Sequence, residues 1–185
     1  MRFRTRLLVT AMLIGLALAG CGKNNSDEVA GGTSEMPDEV ITSFVTEESD
    51  SGRVRWRLSA PQASKFEKKR VFLMTRPKIE FYDELGNLQS TLTSNWGEYF
   101  DTSRDMLAYG DVVVVTVEGD VLETDSLRYL NAEDRIVNEC FNKLTRGNDV
   151  LTGYGLECDH NLSSVNIKRD VEANIIDAKG NIIEN

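Results

Sequence analysis

The chain has 185 residues, a formal net charge of -9, one histidine and three cysteines. That acidic balance excludes a surface that grips nucleic acid by bulk charge, and a single histidine excludes a metal site built from several imidazoles. With 41% hydrophobic residues the chain can bury a core, and its length suits one domain of ordinary size. The first predicted element is an export signal over residues 1–20. Arg2, Arg4 and Arg6 precede an apolar run from Leu7 to Ala19, and small residues close it. The run is shorter than the ~18 residues a spanning helix needs.

Cys21 stands directly after Leu18-Ala19-Gly20, an arrangement that resembles a bacterial lipoprotein lipobox. The resemblance implies lipid attachment at Cys21 and a membrane-tethered mature protein. Residues 21–39 contain almost no large apolar side chain and cannot offset the entropy of ordering, so they are expected to form a flexible tether. The folded domain is expected over residues 40–185. Loss of the three signal arginines takes the net charge from -9 to -12, with 18 basic residues against 30 acidic. An anionic lipid would therefore have to be held mainly by its apolar part.

The domain reads as strands throughout. "GRVRWRLSA", Gly52 to Ala60, alternates strictly, with Val54, Trp56, Leu58 and Ala60 on one side and arginines and serine on the other, as in a half-buried strand. "PKIEFYDELGNLQSTLTSNW" predicts a hairpin about Glu84 to Asn87. Similar hairpins are expected about Glu118 to Asp120, about Arg146 to Asp149, and within "IIDAKGNIIEN" at the C-terminus. "ASKFEKKRVF" is the nearest thing to a helix and reads as easily as a charged loop and a strand start. The predicted fold class is all-β, with long antiparallel strands. In "VVVV", Val112 to Val115, both faces are apolar, so the inward pair is either Val113 and Val115 or Val112 and Val114.

One phrase recurs. Aligning "YFDTSRDMLAYG" from Tyr99 with "YLNAEDRIVNEC" from Tyr129 superposes apolar residue, polar turn and apolar strand, and a further step of 29 reaches a weaker copy at Cys158. The repetition predicts one hairpin rung stacked on itself, each rung relying on its neighbours for a core.

Catalytic constellations are thin, and no enzymatic activity or cofactor is expected. His160, between Asp159 and Asn161, reads as a solvated turn residue. The many acids fall in turns and on outward strand positions. Gly153 to Gly155, "GYG", lies within a strand pattern, where glycine marks a bulge or a close approach. Lys65, Lys68, Lys69 and Arg70 form a basic cluster that reads as a solvated loop. Cys140 and Cys158 remain for a disulfide or for two free thiols, and the sequence leaves that choice open.

The order "GRVRWRLSA", "IEFYDELGNL", "GEYFDTSRDMLAYGDVVV", "GDVLETDSLRYLNAEDRIVNE", "VLTGYGLECD", "VNI" resembles the LptC family of lipopolysaccharide export over nearly the whole domain. Its best-known members keep a transmembrane helix where this chain has Cys21. The resemblance implies an open, twisted antiparallel two-sheet β-jellyroll whose interior shields the acyl chains of lipopolysaccharide. It implies a periplasmic protein anchored by lipid, at the inner membrane if function decides. The transporter subunits LptF and LptG would meet the N-terminal edge and LptA the C-terminal edge, where Gly153 is the expected interaction residue. The expected lining is Trp56, Leu58, Ile79, Phe81, Leu92, Val113, Val115, Ile136, Phe141, Leu151, Leu156 and Ile167. The same residues also read as a solid core, in which case the domain is a tethered envelope scaffold or adhesion protein.

Overall fold

A computed structural model of the chain describes residues 36–176 and 182–183; the expected signal segment, Cys21 and nearly all of the tether lie outside the described residues. The strands are β1 (Glu39–Asp50), β2 (Arg53–Phe66), β3 (Val71–Thr75), β4 (Lys78–Tyr82), β5 (Leu88–Thr93), β6 (Trp96–Phe100), β7 (Met106–Thr116), β8 (Val121–Leu130), β9 (Arg135–Arg146), β10 (Asp149–Cys158), β11 (Val165–Ile176) and β12 (Ile182–Ile183). The strand pairings described are all antiparallel. "ASKFEKKRVF" contains no helix: it is the end of β2, a turn and the start of β3.

Strands β3 and β4 are one long strand broken at Arg76-Pro77, and β5 and β6 are another broken at Ser94-Asn95. With those joined, every strand pairs with its neighbours in sequence, so the domain is a simple meander. It is folded over once, along a crease that cuts across every strand. One half of β2 pairs with β4 through Trp56↔Phe81 and Leu58↔Ile79, while its other half pairs with β3 through Gln62↔Thr75. β7 divides in the same way between β6 and β5. Two leaves result. Leaf A contains β4 and β5, leaf B contains β3 and β6, and the long strands run through both.

The crease is made of β-bulges, where an extra residue bends a strand and raises its twist. Register shifts fall between Tyr109 and Val112 in β7, between Thr124 and Arg128 in β8, and between Tyr154 and Leu156 in β10. Ser43, Asp111 and Asp170 take positive φ at the crease, as does Gly110. Arg76 N donates to Asn95 O at 2.8 Å, and Asn95 N donates to Gly110 O at 2.8 Å, so backbone hydrogen bonds run along the fold. Pro77 packs so closely on Gly97 that a Cβ there would sit 2.8 Å from Pro77 Cγ.

Alternation then sends one face of each leaf inward. Across leaf A the register aligns Leu58, Ile79, Leu92, Val114, Leu122, Leu144 and Leu151 in one row. Across leaf B it aligns Phe72, Tyr99, Met106, Tyr129, Ile136, Cys158 and Val165. The recurring phrase is therefore a transverse layer of the fold: its three copies put Tyr99, Tyr129 and Cys158 in the same row. The leaves meet through Trp56 on Tyr99 and Phe81 on Tyr129, with ring centroids 5.9 Å and 5.2 Å apart.

The phase of "VVVV" is settled by its neighbours in the row. Val114 is 0% exposed and Val112 is buried, whereas Val115 is 42% exposed and Val113 half-buried, so the expected pair is replaced by its alternative. Truncating Leu122 to Ala should cost about 2–5 kcal/mol, while Val115→Ala should cost less than about 1 kcal/mol. Urea unfolding midpoints check this; equal losses would show that the row assignment is wrong.

Candidate lipid-binding interior and its seam

Of the residues expected to line the interior, Trp56, Leu58, Ile79, Phe81, Leu92, Ile136 and Leu156 are buried between the leaves, and Leu151 and Ile167 are half-buried against them. Val113, Val115 and Phe141 face outward. Phe141 is 43% exposed and stands edge-on to Tyr154, 5.4 Å away on the outer surface. The reason is parity: Ile136, Asn138, Asn142 and Leu144 share the inward side of β9, which leaves position 141 on the other. Met106, Leu127, Tyr129 and Leu162 belong to the interior as well and are not among the residues expected to line it.

The interior positions of β9 at the crease are two asparagines. Asn138 Nδ2 donates to Thr124 Oγ1, to Ser126 O and to Asn142 Oδ1 at 3.0, 2.9 and 2.7 Å. Asn142 Nδ2 donates to Asn138 Oδ1 at 3.1 Å and to Cys140 O at 2.8 Å. The bulge withdraws those backbone carbonyls from the ladder, and buried carbonyls need donors. The amide pair supplies them where a pair of leucines could not.

On the side opposite the crease the leaf ends meet, and here the contacts are made by side chains. Trp56 Nε1 donates to Asn131 Oδ1 at 3.1 Å. Arg55 lies 3.3 Å from Asp134, and Arg104 lies 3.3 Å from Glu48. Ser90 Oγ donates to His160 O, and Arg146 donates to Leu162 O at 2.7 Å. His160 is not the solvated turn residue expected: its ring is stacked on Phe81 at 5.3 Å, and its Nδ1 lies 3.5 Å from Asp134. Along the outside of this seam runs a cleft of about 690 Å³ lined by Arg53, Arg55, Tyr82, Asp83, Asp134 and His160, among others.

Asp134 is the hub of the seam. The His160 imidazole beside it, the Tyr129 hydroxyl donating at 2.7 Å and the Arg55 guanidinium hold its carboxyl well below the usual carboxylate range. Burial, with Asp134 adjacent, pushes the Tyr129 phenol up. Burial also pushes the Cys158 thiol up to about 12, so it stays protonated and inert. Cys140 and Cys158 are free thiols: Cys158 pairs across the ladder with Ile136, and Cys140 sits in the bulge of β9. The basic cluster spans the end of β2 and the turn after it, with Lys65 2.8 Å from Glu67 and Lys69 over the Phe66 ring. Among the described residues no group of three or more His, Cys, Asp or Glu is placed to hold a metal ion, and no helix is long and apolar enough to cross a membrane.

Gly153 in β10 has no room for a side chain. A Cβ there would lie 2.6 Å from Ile167 Cγ2 and 2.8 Å from Arg169 O, so β11 seats against bare backbone. Beyond β11 only the short β12 pairs, at Ile175 and Ile176, which leaves the outer edge of β11 open from Val165 to Asn174 among the described residues. Among the described residues β1 pairs with β2 alone and is the other open edge.

A meander creased into two facing leaves, with apolar inner rows and two open edges, is an antiparallel β-jellyroll. The family model for lipopolysaccharide assembly, LptC-related, matches residues 7–176, and the chain belongs to that family. Its fold is similar to the crystal structure of LptH, the LptA-homologous periplasmic component of the conserved lipopolysaccharide transport device from Pseudomonas aeruginosa. The similarity has a TM-score of 0.52 at 16% identity and covers 69% of this chain and 99% of that one. No curated protein matches the chain.

Two variants test the site's wiring. Asn142→Ala leaves Asn138 and the Cys140 carbonyl short of partners and should cost about 1–3 kcal/mol in urea unfolding. For Asp134 the folded pKa is depressed, so its stabilisation is complete above the ordinary carboxylate value near ~4 and is lost as pH falls toward the folded value. The stability gap between the native chain and Asp134→Asn should be present at neutral pH and close on acidification. Because Asp134 is 46% exposed the gap is a discounted one, and a gap unchanged with pH would remove the carboxylate as its source.

Proposed function

We propose that this protein is a periplasmic carrier in lipopolysaccharide export, tethered to a membrane by lipid on Cys21. It would hold acyl chains between its leaves, accepting them from the inner-membrane transporter subunits LptF and LptG at the β1 edge and passing them to LptA at the β11 edge. Residues 1–20 would be the signal, 21–39 the tether and 40–185 the carrier domain. The observation that carries this reading is the pair of apolar rows that cross the meander, one from β2 to β10 and one from β3 to β11, flanked by the open edges of β1 and β11. An unpaired edge invites another strand, and strand addition at both ends would extend the lining from one protein into the next. Membership of the LptC-related family supports the same pathway.

A second reading, a tethered scaffold with a solid core, draws support from the packing: the interior is filled by its own side chains. Photocrosslinking separates the two. A benzophenone side chain in place of Phe81 or Tyr99 should label lipopolysaccharide, whereas one at exposed Leu85 should not. Labelling at Leu85 but at no interior position would favour the scaffold.

The β11 edge has its own test. Gly153→Ala should push β11 off β10 and lower the yield of complex with LptA in a pull-down, while far-ultraviolet circular dichroism stays that of a β-protein. Undiminished capture would show that the β11 edge is not the contact.

A further inference from the structure

The two long sides of the folded sheet are held by different forces. Along the crease, strands pass unbroken from leaf to leaf and backbone hydrogen bonds bridge the breaks, as from Asn95 N to Gly110 O. Along the seam, no backbone-to-backbone hydrogen bond joins the leaves among the described residues. What closes it are the Trp56, Arg55, Ser90 and Arg146 contacts to the turns at 131–134 and 159–164. The Arg55–Asp134 pair is partly exposed and therefore weak, and each of the others is a single side-chain hydrogen bond. The seam can therefore part without breaking one ladder hydrogen bond, and the bulges of the crease lie where a hinge would. Directly behind the seam are Phe81, Tyr129 and Leu162, side chains that belong to the apolar interior.

We propose that the seam is a side gate, latched by Asp134 and the 159–164 turn, through which the acyl chains of lipopolysaccharide pass laterally into the interior. This rests on the carrier reading above. Leu162 acts as the bolt: it takes positive φ in the turn and is 0% exposed, with its carbonyl held by Arg146. Polar headgroups stay outside, because the cleft along the seam is polar, and no ladder hydrogen bond has to break to let the chains through.

The gate can be locked. The Ser90 hydroxyl donates to the His160 carbonyl, so the two residues face each other across the seam, where a disulfide can be introduced between them. In full-length chain carrying C140S and C158A, the pair S90C and H160C is oxidised or reduced, and a benzophenone side chain at Tyr99 reports loading with purified lipopolysaccharide. The expected result is at least about a tenfold drop in labelling when oxidised, reversed by reductant, a change equivalent to about 1.4 kcal/mol or more in loading. Equal labelling in both states would overturn the gate and leave the carrier standing, with loading from the ends. No labelling in either state, or in the chain without the cysteine pair, would bring down both. A readout without lipid is amide hydrogen exchange of Asp134→Ala. Faster exchange confined to the 131–134 and 159–164 turns supports the latch, and a uniform rise across all strands overturns it.

Discussion

The crease is the constraint on which the rest of the molecule depends. A flat meander with one apolar face cannot bury it, and an added strand only lengthens the exposed surface. Folding the sheet once across its strands lets each strand serve as both walls of its own core. The cost is local. Every strand must leave its ladder for a residue or two, in bulges and breaks at Ser43, Pro61, Pro77, Asn95, Gly110 and Asp111, Asn138 to Phe141, Gly155 and Asp170. A non-glycine residue held at positive φ costs about 1–3 kcal/mol, so the crease exists only because two buried rows follow from it. The Asn138 and Asn142 amides belong to the same logic: they satisfy the carbonyls that bending frees.

Much of this was legible in the chain. The alternation from Val54 to Ala60, the turns about Gly86, Gly119 and Gly147, and the recurrence at Tyr99, Tyr129 and Cys158 are local signals, and local physics produced them. The phase errors arose where locality fails. "VVVV" carries no information on which face is inward, because all four side chains fit either; only pairing with Leu122 and Leu92 decides. Hydrophobicity alone points Phe141 inward, although Ile136 and Leu144 already fix the opposite parity for β9. That parity would have revealed Asn138 and Asn142 as interior residues. The seam could not be read at all: Trp56 and Asn131 are 75 positions apart, and His160 meets Phe81 only after the sheet has folded over. The crease itself was hidden for a related reason, since Ser43, Asp111 and Asp170 are not glycines and give no sequence sign of their positive φ.

The form also explains why a filled interior and a carrier role are compatible. The core is one contiguous cluster, but its rows are each built by neighbouring strands, so it is long and extends from strand to strand. An acyl chain that replaces the contacts of one layer leaves the backbone ladders of every other layer intact. Apolar burial is non-directional, and a hydrocarbon chain restores most of the area that displaced side chains give up. In the proposed carrier, exchange of side chain for lipid would therefore cost little, as loading and release would require. What sets direction is the difference between the boundaries. The crease is covalent and hydrogen-bonded, the seam is closed by side chains, and the two ends present bare strand edges. In the proposed carrier, lipid moving along the rows would meet no backbone until it reached an edge, and there a partner's strand would continue the same surface.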